Sequence, residues 1–261
     1  MSYNIRYPNP GDGDNYWDLR RPLVASVIRF HEADLIGVQE AHRRQLDEIT
    51  ADIPGFGWFG VCRVDGSDHP QPDNEFSAII YRLDRFERLD GNTFWLSETP
   101  EMVSQGWDAA FPRIVTWAKF KDKQTGKIFF YFNTHFDHMG VTARHESAKL
   151  ILIKIREIAG QDPVILTGDF NCSDTDTPYQ VITTNPDYTL SDAMVDSKTK
   201  HHGPATTFAG NFRISGLIDH RIDFIFINKH IEVLRHAILT DNWNGVLASD
   251  HLPVLAEIRI R

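Results

Sequence analysis

Cysteine is almost missing from this chain, which carries only Cys62 and Cys172. Two cysteines make no disulfide framework, and their separation matches no zinc-binding spacing, so neither settles the redox compartment. Positive charge is also scarce: 27 Lys and Arg stand against 36 Asp and Glu, a formal net charge of −9. That balance argues against wide, nonspecific nucleic-acid binding, which works by neutralising phosphates. Long apolar runs are absent too, and nothing approaches the roughly 20 residues needed to span a bilayer. No low-complexity tract, sustained heptad, short repeat or Gly/Ser linker divides the 261 residues. They read as one domain, 1–261, long enough to bury a sizeable core.

What is present is a repeated pairing of an apolar run with a polar end. The stretch from Pro163 to Asn171 runs Val-Ile-Leu-Thr into Gly168, Asp169, Phe170 and Asn171. It predicts a buried strand, and residues two apart on a strand share a face. Asp169 and Asn171 would then point the same way, as long as the chain stays extended. Asp34 to Glu40 and Lys127 to His135 are further apolar segments that finish in Glu40 and His135. Three segments are reversed: Glu75, Asp223 and the Asp250-His251 pair precede their apolar runs.

That polarity matters, because in antiparallel neighbours the end of one strand lies beside the start of the next. Five carboxylates, two imidazoles and Asn171 can therefore share one rim. Such a crowd of acids repels itself unless a cation sits among them. Oxygen donors favour Mg²⁺, Mn²⁺ or Ca²⁺ over zinc. Taken singly, each acid is a solvated strand cap, and Asp169 and Asn171 are turn formers. Only the combination points to a site.

The ordered set Asn4-Ile5-Arg6, Gly37-Val38-Gln39-Glu40, Asn133-Thr134-His135, Gly168-Asp169-Phe170-Asn171, Arg221-Ile222-Asp223 and Ser249-Asp250-His251 resembles the endonuclease/exonuclease/phosphatase superfamily. Deoxyribonuclease I, exonuclease III, poly(A) deadenylases, neutral sphingomyelinases and inositol polyphosphate 5-phosphatases belong to it. The resemblance implies an α/β (mixed α+β) four-layer sandwich, with two face-to-face mixed β-sheets flanked by helices. It also implies a Mg²⁺-dependent hydrolase. Glu40 would be the principal metal ligand, with Asn4 beside it and Asp250 contributing to a metal site or its water shell. Asp169 would deprotonate the attacking water, and Asn171 would hold the nucleophile or the phosphate. His251, paired with Asp223, would contact the scissile phosphate. His135 separates this chain from the exonuclease III-like enzymes, which carry tyrosine in that region. Glu75 looks like its acid partner, leaving a protonated His135 to serve the leaving oxygen. Arg6 departs from the exonuclease III-like pattern, in which an acid follows the asparagine by two.

Around these motifs, Arg113 is a candidate phosphate clamp, weighed against a strand-edge ion pair. Trp95 is a candidate stacking surface, weighed against core packing. Asp137, His138 and Arg144 are nearby loop or helix residues. Periodicity predicts helices over Trp17–His31 (apolar at Leu19, Leu23, Val27 and Phe30), Arg43–Asp52 and Val141–Ala159, the last ending at Gly160. Thr116–Lys121 and Lys127–Thr134 form a hairpin, and Pro253–Ile260 is the final strand. Arg20-Arg21 and Arg43-Arg44 read as solvated helix faces.

The expected protein is a metal-dependent phosphoesterase, with phosphodiester cleavage ahead of phosphomonoester cleavage. A non-catalytic module of the same fold would have lost Glu40, Asp169, Asn171 or His251, and all are present. Nucleic acid, lipid headgroup, inositol phosphate and nucleotide stay open as substrates. A soluble monomer is expected, secreted or periplasmic if a leader has been removed ahead of the abrupt start.

Overall fold

The computed structural model describes residues 1–218 and 220–261. In chain order the first strands are β1 (Ser2–Asn4), β2 (Leu35–Gln39), β3 (Ala41–His42), β4 (Phe56–Phe59), β5 (Glu75–Phe76), β6 (Ile79–Arg82), β7 (Phe86–Trp95) and β8 (Ile114–Asp122). Then follow β9 (Ile128–His135), β10 (Val164–Asp169), β11 (Ser191–Asp192), β12 (Asp223–Ile227), β13 (Ile231–Ile238), β14 (Asn242–Trp243), β15 (Val246–Leu247) and β16 (Val254–Ile260). The helices are α1 (Trp17–Phe30), α2 (Arg43–Asp52), α3 (Val141–Ala159) and α4 (Thr177–Thr184). None of the described helices is long and apolar enough to cross a membrane.

Two six-stranded sheets form the centre, ordered β13-β16-β1-β2-β6-β4 and β11-β12-β10-β9-β8-β7. Both are mixed: β1 and β2 are parallel, as are β9 and β10, among antiparallel neighbours. Three apolar clusters fill the spaces between layers. Val24, Ile28, Leu46 and Ile49 of α1 and α2 pack on Ile36 and Val38 of the first sheet. Ile151, Leu152 and Ile155 of α3 pack on Phe130, Phe132, Leu166 and Phe226 of the second. Between the sheets lie Phe129, Tyr131, Ile165, Ile225, Val233 and Val254. Three filled interfaces define four layers, as the motif resemblance implied.

Strand alternation explains how these layers position the polar ends. On β10, Val164 and Leu166 face α3, while Ile165 faces the other sheet. Counting by twos from Ile165 brings Thr167 and Asp169 onto the inner face. The same count carries Tyr131 to Asn133 and His135, and Ile225 back to Asp223. Register then sets Asp169 opposite His135 on one side and Asp223 on the other. Three members of the expected rim, His135, Asp169 and Asp223, thus form a row across three adjacent strands.

Gly37 lets the sheets approach. A Cβ there would lie 2.2 Å from Thr167 Oγ1 and 2.3 Å from Asn133 Oδ1. Asn133 is itself fixed, donating to the carbonyls of Val38 (2.8 Å) and Ala78 (2.9 Å) in the facing sheet.

One predicted helix face needs correcting. In α1, Leu19 and Phe30 are 61% and 77% exposed, while Trp17, Arg20, Val24, Val27 and Ile28 are buried. The true stripe includes an arginine, so reading apolar residues alone rotated it. Arg20 is 1% exposed. It donates to the carbonyls of Ile5 (2.9 Å), Ala248 (2.9 Å), Asn15 (2.6 Å) and Arg6 (3.3 Å). It therefore ties the end of β1 to the segment before Asp250, and it is no solvated surface charge.

Candidate active site

The row on the second sheet meets the first sheet through Asn4. Its side-chain amide donates to Glu40 Oε1 at 3.1 Å and to Asp169 Oδ2 at 3.0 Å. Asn4 is fixed in turn, since Ser249 Oγ donates to its carbonyl at 2.8 Å. Glu40 follows β2 in a left-handed turn, φ +60°. That turn swings its carboxylate back to accept the Tyr7 N–H at 3.1 Å.

His251 Nδ1 donates to Asp223 Oδ2 at 2.9 Å, and its Nε2 lies 3.8 Å from Asp169 Oδ2. Thr207 Oγ1 accepts the N–H groups of Ile222 (3.0 Å) and Asp223 (3.1 Å). Phe208 packs against the His251 ring at 4.9 Å. Sequence patterning missed both loop residues, since neither belongs to a periodic element.

Asn171 and Asp169 do converge, but not along an extended strand. β10 stops at Asp169, and Asn171 adopts φ +46°. The turn returns the Asn171 N–H to Asp169 Oδ1 at 3.0 Å. The Asn171 amide donates to His135 Nε2 (3.1 Å) and to the Phe136 carbonyl (3.0 Å).

Burial, more than any single neighbour, sets the electrostatics. It pushes the Asp169 carboxyl up to about 7, with the charge of Asp223 adding to the effect; His251, Asn4 and the Asn171 N–H oppose it. Burial and the Glu40 charge raise Asp250 as well. For His251, burial alone would lower the imidazole, but the charges of Asp223 and Asp169 hold it well above its ordinary value. His135 goes the other way: burial, then Arg113 and Arg63, hold it well below. Two histidines on one rim are thereby set apart, His251 charged and His135 neutral.

Two expectations fail around His135. Glu75 is not its hydrogen-bonded partner: Arg63 Nη1 takes Glu75 Oε2 at 2.8 Å, leaving 4.0 Å to His135 Nδ1. A protonated His135 is also not what this environment supports. Arg63 was invisible to sequence patterning because it lies in the irregular segment after β4. Trp95 is 7% exposed and donates its indole N–H to the Arg63 carbonyl at 2.7 Å. It braces Arg63 and presents no open ring, so the packing alternative holds. Arg113 is 4% exposed and pairs with Asp137 at 3.1 Å. Backbone N–H groups and Arg113 outweigh burial and hold the Asp137 carboxyl at about 2. Nη1 of Arg113 has no acceptor among the described residues. Arg144 donates to the Asp137 carbonyl at 2.9 Å.

Asp169, Asp223 and His251 offer atoms within 4.8 Å of one another. His251 Nδ1 is already committed to Asp223, so this trio reads as a relay and not as an ion cage. The donor set around Glu40 fits a hard divalent cation better. Glu40 and Asp169 are bridged by a single amide nitrogen, and Glu40 and Asp250 flank one guanidinium at 4.0 and 3.9 Å. These are all oxygen donors, the preference of Mg²⁺, Mn²⁺ and Ca²⁺. A cavity of about 710 Å³ lies at the other end of β2 and β10, lined by Leu35, Ile165 and Ile258 among others. It contains none of the candidate residues.

A two-sheet sandwich with this rim of acids, amides and imidazoles defines a protein of the deoxyribonuclease I-like class. The family model described as "Endonuclease/Exonuclease/phosphatase family" matches residues 1–251, and the chain belongs to that family. Its members are phosphoesterases and typically depend on a metal. Among solved structures, an endonuclease/exonuclease/phosphatase from Bacteroides vulgatus is similar at 42% identity and TM-score 0.93, covering 100% of this chain and 97% of that one. A mannosyl-6-phosphatase from Bacteroides thetaiotaomicron is similar at 37% identity and TM-score 0.92, covering 99% and 98%. A protein of Acanthamoeba polyphaga mimivirus is 27% identical over 165 residues, 60% of each chain. The chain spans 60%, 43% and 35% of the lengths of the curated relatives it matches.

Proposed function

We propose that this protein is a divalent-cation-dependent phosphomonoesterase that hydrolyses a sugar phosphate by direct attack of water. The observation that carries the hydrolytic reading is the Asn4 amide held between Glu40 and Asp169 at 3.1 and 3.0 Å. It sets a candidate ion ligand and a candidate base side by side. The monoester is placed ahead of the expected phosphodiester because a mannosyl-6-phosphatase is 37% identical over 99% of this chain.

Glu40 is the principal candidate to hold the cation, with Asp250 and Asn4 beside it. When bound, the ion supplies positive charge to the nonbridging phosphate oxygens. Asp169, raised to about 7, is poised to take a proton from water near neutral pH. Asn171 orients that water or a phosphate oxygen. The new bond forms between water oxygen and phosphorus, the ester P–O bond breaks, and the leaving oxygen takes a proton from solvent to depart as the alcohol, while Asp169 returns its own proton to solvent. His251, kept protonated by Asp223, donates to the phosphoryl group as negative charge shifts there. Neutral His135 serves as a hydrogen-bonding residue. Arg113 is a candidate contact for the dianion through its unpartnered Nη1.

The test is hydrolysis of mannose 6-phosphate, p-nitrophenyl phosphate and bis-p-nitrophenyl phosphate, each with Mg²⁺ or chelator. Release of phosphate from the monoesters, lost with chelator and in Asp169→Asn, is the expected result. Turnover of the diester alone would return the reading to a phosphodiesterase. Activity that survives the chelator would end the cation-dependent one.

A further inference from the structure

The proposed reaction centre is flanked by a wall that the hydrolytic steps leave unused. It starts beside Glu40, where Tyr7, whose N–H donates to that carboxylate, stacks on His42 with ring centroids 6.2 Å and planes 20° apart. His42 stands opposite Glu75 in the short β3–β5 pair. Glu75 takes Arg63 Nη1 at 2.8 Å, and the Arg63 guanidinium lies 4.9 Å from the Phe111 ring centroid. Phe111 in turn stacks on His138, with centroids 5.9 Å and planes 19° apart, and His138 Nδ1 accepts from Arg113 Nη2 at 3.1 Å. An ion pair is thus set between two aromatic stacks, one beside Glu40 and one beside Arg113.

Phe111 is 47% exposed, and His138 is exposed with it. An aromatic surface already held in position loses little freedom when a ligand settles on it. The chemistry of the wall selects that ligand. An acyl chain would strip water from the Arg63–Glu75 pair and return nothing. A polyanion would find no surplus charge, because Glu75 answers Arg63 and Asp137 answers Arg113. A sugar chain fits on both counts. Its rings have C–H faces to bury on aromatic groups, and its hydroxyls both donate and accept, which suits a guanidinium beside a carboxylate.

The space at the reaction centre points the same way. The cleft beside His135, lined by Arg63, Glu75 and Arg113, holds about 170 Å³. Pockets that enclose a whole small ligand start at roughly 300 Å³. The leaving group therefore lies outside the cleft, along the wall.

We propose that this wall binds a glycan, so that the phosphate removed is carried by a sugar within an oligosaccharide, with Phe111 and Tyr7 as ring platforms on either side of the Arg63–Glu75 pair. The inference rests on the sugar-phosphate reading above and narrows it.

The experiment is calorimetric binding of unphosphorylated mannotriose and of mannose to the whole chain, beside hydrolysis of mannotriose bearing a terminal 6-phosphate and of mannose 6-phosphate. The trisaccharide should bind about tenfold tighter than mannose, and its phosphate should be released with the lower KM. Phe111→Ala, at an exposed loop position, should weaken mannotriose binding by roughly tenfold, and Phe111→Trp should bind like the natural chain. Equal binding of the two sugars, or an alanine variant that binds mannotriose like the natural chain, would overturn the inference while turnover of mannose 6-phosphate upheld the reading beneath it. Binding of phosphatidylcholine vesicles in place of the trisaccharide, lost in Phe111→Ala, would assign the wall to a lipid surface and overturn it too. No release of phosphate from either sugar would overturn the sugar-phosphate reading and the inference with it.

Discussion

Asn4 and Asp169 lie 165 residues apart and on different sheets, yet their side chains meet at 3.0 Å. The bond joins the two halves of the sandwich at the site itself. Without Asn4, Asp169 would lose a donor inside a buried cluster, where a hydrogen bond to a charged group contributes about 1.5–3 kcal/mol. Asn4→Ala should lower kcat/KM by roughly 100-fold and reduce the melting temperature. Asn4→Asp should do worse on both measures, because it adds an acid where acids already repel. An Asp variant equal to the Ala variant would show that the site does not feel its own charge.

Asp169 itself should set function against stability. Its carboxylate is buried, close to Asp223, and reluctant to ionise. Asp169→Asn keeps the shape and removes the charge, so the folded protein should melt higher without added cation. Turnover should fall by about 10²–10⁴, the range for a lost general base. Calorimetry and kinetics on one preparation check both. A destabilised variant would mean that the Asp169 charge helps hold the fold.

The pH dependence follows with opposite signs for activity and stability. Activity needs the Asp169 carboxylate, so it should fall on the acid side, with a midpoint at or below about 7, since a bound cation favours the ionised form. Stability runs the other way. Asp169 sits above its ordinary value of 3.8, so between about 4 and 7 the folded chain keeps a proton that the unfolded chain releases, and stability declines as pH rises. His251 is held above 6.5; its contribution is complete below that pH and is lost as pH climbs through its folded value. Neutral His135 contributes with the opposite sign below 6.5, so the test is a difference. The cation-free natural chain should lose more melting temperature with rising pH than Asp169→Asn does between about 4 and 7, and more than His251→Gln does above 6.5. His251→Gln should flatten the upper part. A pH slope unchanged in both variants would contradict both assignments.

Much of this was legible because strand alternation is a local rule. Ile165, Thr167 and Asp169 must share a face once β10 is extended, and the apolar run declares that extension. The boundaries of α2 and α3 were legible for the same reason. Other features depend on partners that no local rule reveals. Arg20 looked like a surface charge until four carbonyls were found around it. The partner of Glu75 is Arg63, a residue in an irregular segment with no period to mark it. Asn171 reaches the site through a left-handed turn, and Trp95 spends its N–H on a loop carbonyl. In each case a long-range contact decides, and its signal lies in the fold.

Gly37 tests how closely the sheets must meet. The Cβ of Gly37→Ala would strike Thr167 and Asn133, and Asn133 cannot retreat without giving up two bonds across the interface. Overpacking of this kind costs on the order of 1–3 kcal/mol. Because Glu40 lies three residues on, the same displacement should move the rim. The variant should melt several degrees lower and lose activity beyond what its folded fraction explains. Full activity per folded molecule would show that the rim is insulated from sheet spacing.

Arg63 offers the sharpest test of why His135 is neutral. It holds Glu75 at 2.8 Å, and its own charge, with that of Arg113, disfavours a second positive group nearby. Arg63→Gln removes that charge and frees Glu75, now 4.0 Å from His135 Nδ1, to close on the imidazole. An opposite charge within that distance should raise the proton affinity of His135 by roughly tenfold or more. Imidazole resonances followed against pH by NMR would report it, with Glu75→Gln in the natural background as the comparison. The prediction is a His135 that titrates at higher pH in Arg63→Gln and scarcely moves in Glu75→Gln. If instead the Glu75 variant moves it most, then Glu75 is already its working partner and Arg63 only shares the acid.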